Sequence, residues 1–145
     1  MTENALPAES LRSITLTRTA RGEYVADNGR GAPLPIGTGD TDRFTPVELL
    51  LVAIAGCSAV DVDLITSRRA EPESFTVSME GHKAKDDDGN HMAGLRMTFD
   101  VVFPKGEAGD AARTALPRAA QKSHDRLCTV SRTVERETPI EVQIR

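Results

Sequence analysis

Tryptophan is absent from this 145-residue chain, tyrosine occurs once and phenylalanine four times. Basic blocks are absent too: 18 Lys and Arg stand against 22 Asp and Glu, the net charge is −4, and no nucleic-acid footprint is visible. Only two cysteines occur, too few for a secreted disulfide scaffold but enough for redox chemistry. Met1 to Ser10 has no basic segment followed by an apolar one, which argues against a secretory signal and makes the cytoplasm the expected compartment. Long uncharged apolar runs are missing as well. The longest, Leu49 to Val60, is 12 residues, flanked by Glu48, Asp61 and Asp63, whereas a membrane span needs about 20. A buried helix is expected there, not a membrane anchor. No internal repeat or low-complexity segment is present.

The composition that remains, 39% apolar and 28% charged, is that of a soluble globular protein. At this length one domain can bury roughly 68–70% of its unfolded surface. Residues 1–10 read as a flexible arm and residues 11–145 as a single domain. Alternation over Leu11–Ala20 predicts a half-buried strand, Gly22 turns it, and Glu23–Asp27 predicts a second strand closed by Asn28-Gly29. Gly31–Asp42 is loop, with at most a short strand at Pro33–Ile36.

Thr45-Pro46-Val47-Glu48 announces a helix. Thr45 suits the N-cap, Pro46 the first turn, and Glu48 completes a capping box. The helix is expected to run to about Arg69, before Pro72, and its first four turns are apolar on nearly every face. One small domain struggles to enclose such a helix, so a second subunit is the natural cover. Ser74–Ala84 and Gly94–Phe103 predict a hairpin with a polar tip at Lys85–Asn90. The Asp triplet in that tip lacks calcium-loop spacing, since position 12 counted from Asp86 is Met97. A second helical region is expected over Ala108–Glu135, broken near Pro117 and again around Leu127-Cys128, and Pro139–Ile144 alternates as a closing strand.

Cys57 lies inside the apolar helix, beside Gly56, whose lack of a side chain allows another segment or a substrate to approach closely. Cys128 lies at the start of a short predicted helix, near Arg126 and Arg132, where a thiolate is favoured. The pair can be a reactive and a resolving thiol, two core cysteines, a disulfide disfavoured by the compartment, or half a metal site. His82, His91 and His124 show no zinc-ligand spacing, which counts against the last.

Pro46-Val-Glu-Leu-Leu-Leu-Val-Ala-Ile-Ala-Gly-Cys57-Ser-Ala-Val-Asp-Val resembles the central-helix signature of the OsmC/Ohr family, and Leu127-Cys128-Thr-Val-Ser-Arg132 resembles its second-cysteine motif. The order of elements is also similar over nearly the whole chain. The resemblance implies an α+β fold, with antiparallel sheets wrapped around two central helices in an intertwined homodimer. It further implies a cofactor-free, metal-free, cysteine-based peroxidase. Cys57 would attack the O–O bond of an organic hydroperoxide and become a sulfenic acid, Cys128 would condense with it to a disulfide, and an external dithiol would reduce that bond.

One part of the family pattern is displaced. In the hydroperoxidase branches a Glu directly follows the Pro and pairs with an Arg from the N-terminal strands. Here Val47 holds that place, ten residues before Cys57, and Glu48 follows it, a rotation of about 100°. Arg21 is the nearest candidate for the guanidinium, with Arg18 and Arg30 as competitors. The pattern is closer to the OsmC-like branch, and without a positioned guanidinium Cys57 is expected to have a higher pKa and weaker peroxidase activity. The alternative is an OsmC-like stress-associated binding protein, holding a hydrophobic or thiol ligand at the dimer interface.

Overall fold

The computed structural model describes residues 6–145. Residues 1–5 of the expected N-terminal arm lie outside the described residues, and Ala8–Ser10 form an exposed 3-10 turn. The chain forms two compact units, the first ending at Leu49 and the second beginning at Leu50.

The first unit holds a three-stranded antiparallel sheet, β1 (Thr15–Ala20), β2 (Glu23–Asp27) and β3 (Leu34–Ile36), in that spatial order. β1 starts later than the alternation from Leu11 predicts. Its pairing begins at Thr15↔Asp27, where β2 ends, so residues 11–14 have no partner strand to join. The β1–β2 turn is Arg21-Gly22, with Gly22 at φ 72, a backbone conformation that favours glycine. At the end of β2, Asp27 Oδ1 accepts the Gly29 N–H at 2.6 Å and Asn28 Oδ1 accepts the Arg30 N–H at 2.9 Å. Those two side chains close the expected turn. β3 buries Ile36, which bridges to Phe44.

The helix that follows, α1 (Pro46–Thr66), begins as its sequence dictates. The Glu48 N–H donates to Thr45 Oγ1 at 3.2 Å, and the Thr45 N–H donates to Glu48 Oε1 at 3.0 Å, a reciprocal capping box. The helix ends three residues before the expected Arg69. There the Arg69 N–H bonds the Thr66 carbonyl at 3.0 Å, and the Arg69 guanidinium covers the Ile65 carbonyl at 3.2 Å. α1 is long and apolar enough to cross a membrane, with mean hydropathy 2.0. Only one stripe, Ile54, Ser58, Val62 and Thr66, is buried within the chain, so burial on nearly every side is not achieved by one copy.

In the second unit, β4 (Ser74–Asp86) and β5 (Gly89–Val102) form a long antiparallel hairpin. Both strands extend further into the acidic tip than the apolar pattern indicates. Asp86 Oδ1 accepts the Asp88 and Gly89 N–H groups at 2.9 and 3.1 Å, and Gly89 takes φ 124, so a tight turn replaces the expected six-residue tip. Phe75, Val77, Met79, Met97, Phe99 and Val101 share the covered face, and Phe75 and Phe99 meet edge-on at 6.2 Å.

α2 (Glu107–Lys122) passes through Pro117 without the expected break. Pro117 is exposed, so water can satisfy the carbonyl it leaves without an N–H donor. The second expected break is real. A π-helical turn, Ser123–Leu127, separates α2 from α3 (Thr129–Glu135). The closing strand predicted at Pro139–Ile144 is not formed. Ile140, Val142 and Ile144 are exposed and the segment pairs with no strand among the described residues, so alternation alone leaves its backbone to solvent.

Candidate functional site

Cys57 and Cys128, 71 positions apart, are brought close enough for their side chains to interact, and both are free thiols. α1 presents Cys57, which is partly exposed; Cys128 is completely buried. The break before α3 is what places them. Cys128 is the N-cap residue of α3, and its sulfur accepts the Ser131 N–H at 3.4 Å. The backbone of Val130 and Thr129 lies near Cys57 and favours its thiolate. The Ser131 N–H, one of the first-turn donors that a helix leaves without intrahelical partners, is thus spent on the Cys128 sulfur and favours negative charge there.

The two thiols differ in acidity. Burial pushes the Cys57 thiol up, and the adjacent Cys128 sulfur adds to this, against the opposing pull of the Val130 and Thr129 amides. Burial also pushes Cys128 up, but hydrogen bonds from Ser131 and Ser58 outweigh it and hold Cys128 below the ordinary thiol value. Ser131 Oγ lies 3.1 Å from the Cys128 sulfur, accepting from the thiol or donating to the thiolate.

Behind Cys128 lies a polar cluster that the sequence did not reveal. Ser58, on the buried stripe of α1, interacts with the Cys128 sulfur. Ser123 Oγ lies 3.3 Å from Ser58 Oγ and donates to Asp61 Oδ2 at 2.9 Å. Ser58 and Ser123 are fully buried and Asp61 is half-buried. Separations of 62 and 65 residues hide these contacts from any local pattern. The one available signal is Ser58-x-x-Asp61, a helical spacing that puts both side chains on one face.

Ser131 and Ile54 also contribute to a cavity of about 340 Å³ whose lining includes Met79, Leu95, Met97 and Phe99 but neither cysteine. Its polar corner is formed by His124 and Glu135, whose Nε2 and Oε1 are 3.5 Å apart.

The two supporting residues expected from sequence belong to the first unit. Glu48 is engaged in the capping box of α1, and Arg21 is exposed in the β1–β2 turn. Arg43, which the sequence did not single out, is half-buried there, with Nη1 3.5 Å from the Tyr24 carbonyl.

Comparison with known proteins gives a consistent assignment. The family of OsmC-like proteins matches residues 37–143. Uncharacterized proteins of Mycobacterium tuberculosis and Mycobacterium bovis are each 26% identical over 136 residues, covering 92% of this chain and 96% of theirs. Among solved structures, an OsmC-like protein of unknown function from Vibrio cholerae superposes with a TM-score of 0.73 at 16% identity, over 87% of this chain and 94% of that one. The organic hydroperoxide resistance protein of Bacillus subtilis gives 0.53 at 16% identity, over 88% and 93%. A Legionella pneumophila protein described as an organic hydroperoxide resistance protein gives 0.58 at 13%, over 89% and 92%. At these identities the structural likeness shows the fold alone.

Proposed function

This chain belongs to the OsmC-like protein family, and from that premise we propose that it is a cytoplasmic, thiol-dependent peroxidase that reduces organic hydroperoxides. The observation that carries the reading is the meeting of Cys57 and Cys128 at the start of α3. Access supports the roles expected of the two thiols. A peroxide reaches the partly exposed Cys57, not the enclosed Cys128. The Cys57 thiol can pass its proton to the Cys128 thiolate next to it, and the Cys57 thiolate then attacks one peroxide oxygen. The O–O bond breaks, the alcohol leaves with a proton, and Cys57 becomes a sulfenic acid. Cys128 displaces water from that sulfur to give a disulfide, which an external dithiol reduces.

The cavity beside Ser131, with Met79, Leu95, Met97 and Phe99 in its lining, suits a hydrophobic peroxide. Glu48 supports the site by holding the start of α1, and Arg21 is the candidate guanidinium of the first strand turn. The active unit is a homodimer built on residues 11–145 as one OsmC-like domain. Val52, Gly56, Val60 and Leu64 form an exposed stripe on α1, roughly 200° around the helix from its buried stripe. Val60 and Leu64 are 59% and 60% exposed, and nothing lies within 4 Å of a side chain built at Gly56. A second copy covering this stripe turns α1 into the core helix of a soluble protein, and its close approach explains the glycine.

Replacing Cys57 with Ser is expected to abolish dithiol-dependent consumption of an organic hydroperoxide; unchanged consumption contradicts the assignment. The raised Cys57 thiol favours a second reading, a binding protein for a hydrophobic or thiol ligand with little turnover. Thiols that stay unreactive toward peroxide while such a ligand binds are its signature.

A further inference from the structure

Cys128 is completely enclosed, so its thiol does not itself touch water. The polar cluster behind it supplies a path to solvent. Ser58 interacts with the Cys128 sulfur, Ser123 Oγ lies 3.3 Å from Ser58 Oγ, and Asp61 Oδ2 lies 2.9 Å from Ser123 Oγ. Both serines are 0% exposed, while Asp61 reaches partly to solvent. The single hydroxyl proton of Ser123 has two acceptors within reach, Asp61 on one side and Ser58 on the other. These are its positions before and after a proton hop.

We propose that Ser58, Ser123 and Asp61 form a proton relay that carries the thiol proton of Cys128 out of the core, with Asp61 as its terminal acceptor. The inference rests on the reading above in taking Cys128 as the resolving thiol. For transfer the thiol proton turns from Ser131 Oγ to Ser58, Ser58 donates to Ser123, and Ser123 donates to Asp61. Each proton moves one place along, leaving a Cys128 thiolate and a protonated Asp61 carboxyl, which loses its proton to water. No electrons change hands in this step. In the next, the Cys128 sulfur attacks the Cys57 sulfenic sulfur: the S–S bond forms, the S–O bond breaks, and hydroxide leaves and takes a proton from solvent. Cys128 is oxidised and the sulfenic sulfur reduced. Asp61 touches neither peroxide nor sulfur; it is a positioning residue that acts through the two serines.

The test compares the wild type with Asp61→Asn and Ser123→Ala. After one equivalent of an organic hydroperoxide, the Cys57 sulfenic acid is trapped with dimedone and the disulfide is counted by mass spectrometry over time. The relay predicts that each variant lowers the ratio of the resolution rate to the sulfenate-formation rate at least tenfold. The double variant should be no slower than either alone, and added formate should partly restore Asp61→Asn. A merely structural role moves the melting temperature without this change in ratio and is not rescued by formate; that result, or an unaltered ratio in both variants, overturns the relay. If the wild type ignores peroxide, diamide serves as the oxidant. Disulfide formation by diamide that slows in both variants supports the relay while the peroxidase reading fails. No disulfide with either oxidant overturns both.

Discussion

At the scale of single residues, the chemistry turns on the different surroundings of two identical side chains. Cys128 caps α3 and receives Ser131, and its thiol lies below the ordinary value; Cys57 is held above it chiefly by burial. In the Cys57→Ser variant, where Cys128 is the only thiol, replacing Ser131 with Ala removes the hydroxyl contact but keeps the backbone N–H. The midpoint of the thiolate absorbance near 240 nm is then expected to move up; an unchanged midpoint means the hydroxyl does not stabilise the thiolate. The linked stability has a definite sign. A folded-state pKa below the unfolded one contributes stability above the unfolded value and loses it as pH falls through the folded one. Ser131→Ala should weaken that dependence. Both cysteines were legible from their flanking residues, as was the position of Cys128 at a helix start. Ser58, Asp61 and Ser123 were not, because they become neighbours only when α1 and the end of α2 pack together.

At the scale of elements, local chemistry was readable wherever it closes on itself. Thr45 and Glu48 satisfy each other's backbone groups within one turn, and Asp27 and Asn28 do the same after β2, so these boundaries stand where the sequence indicates. Pro117 shows the opposite case: its cost depends on whether the freed carbonyl meets water, which requires knowing which face of α2 is exposed. Gly109, in the first turn of α2, carries a packing constraint that its sequence context does not disclose. A Cβ built there falls on the Pro104 carbonyl oxygen, a backbone atom that cannot rotate away. Gly109→Ala is therefore expected to destabilise the protein by roughly 1–3 kcal/mol despite alanine's better helix propensity. Urea unfolding measures this, and an equal or raised midpoint would show that the β5–α2 connection yields at little cost.

At the scale of the whole molecule, α1 exposes an apolar stripe, and the alternating Ile140, Val142 and Ile144 are exposed and pair with no strand among the described residues. A pattern read from one sequence records that a segment is built for pairing, but not which copy supplies the pair. A dimer of twice 15.6 kDa is expected by sedimentation, and Leu64→Glu, which sets a charge at the C-terminal end of the exposed stripe, should shift it to monomer. A wild-type monomer removes the shared core proposed above. The central claim, that Cys57 and Cys128 act as one redox pair, is tested most directly by counting free thiols in the reduced protein after one equivalent of an organic hydroperoxide. The prediction is the loss of two thiols per chain in the wild type, with a Cys57–Cys128 disulfide, and no loss in Cys57→Ser. Two thiols remaining free in the wild type would contradict it.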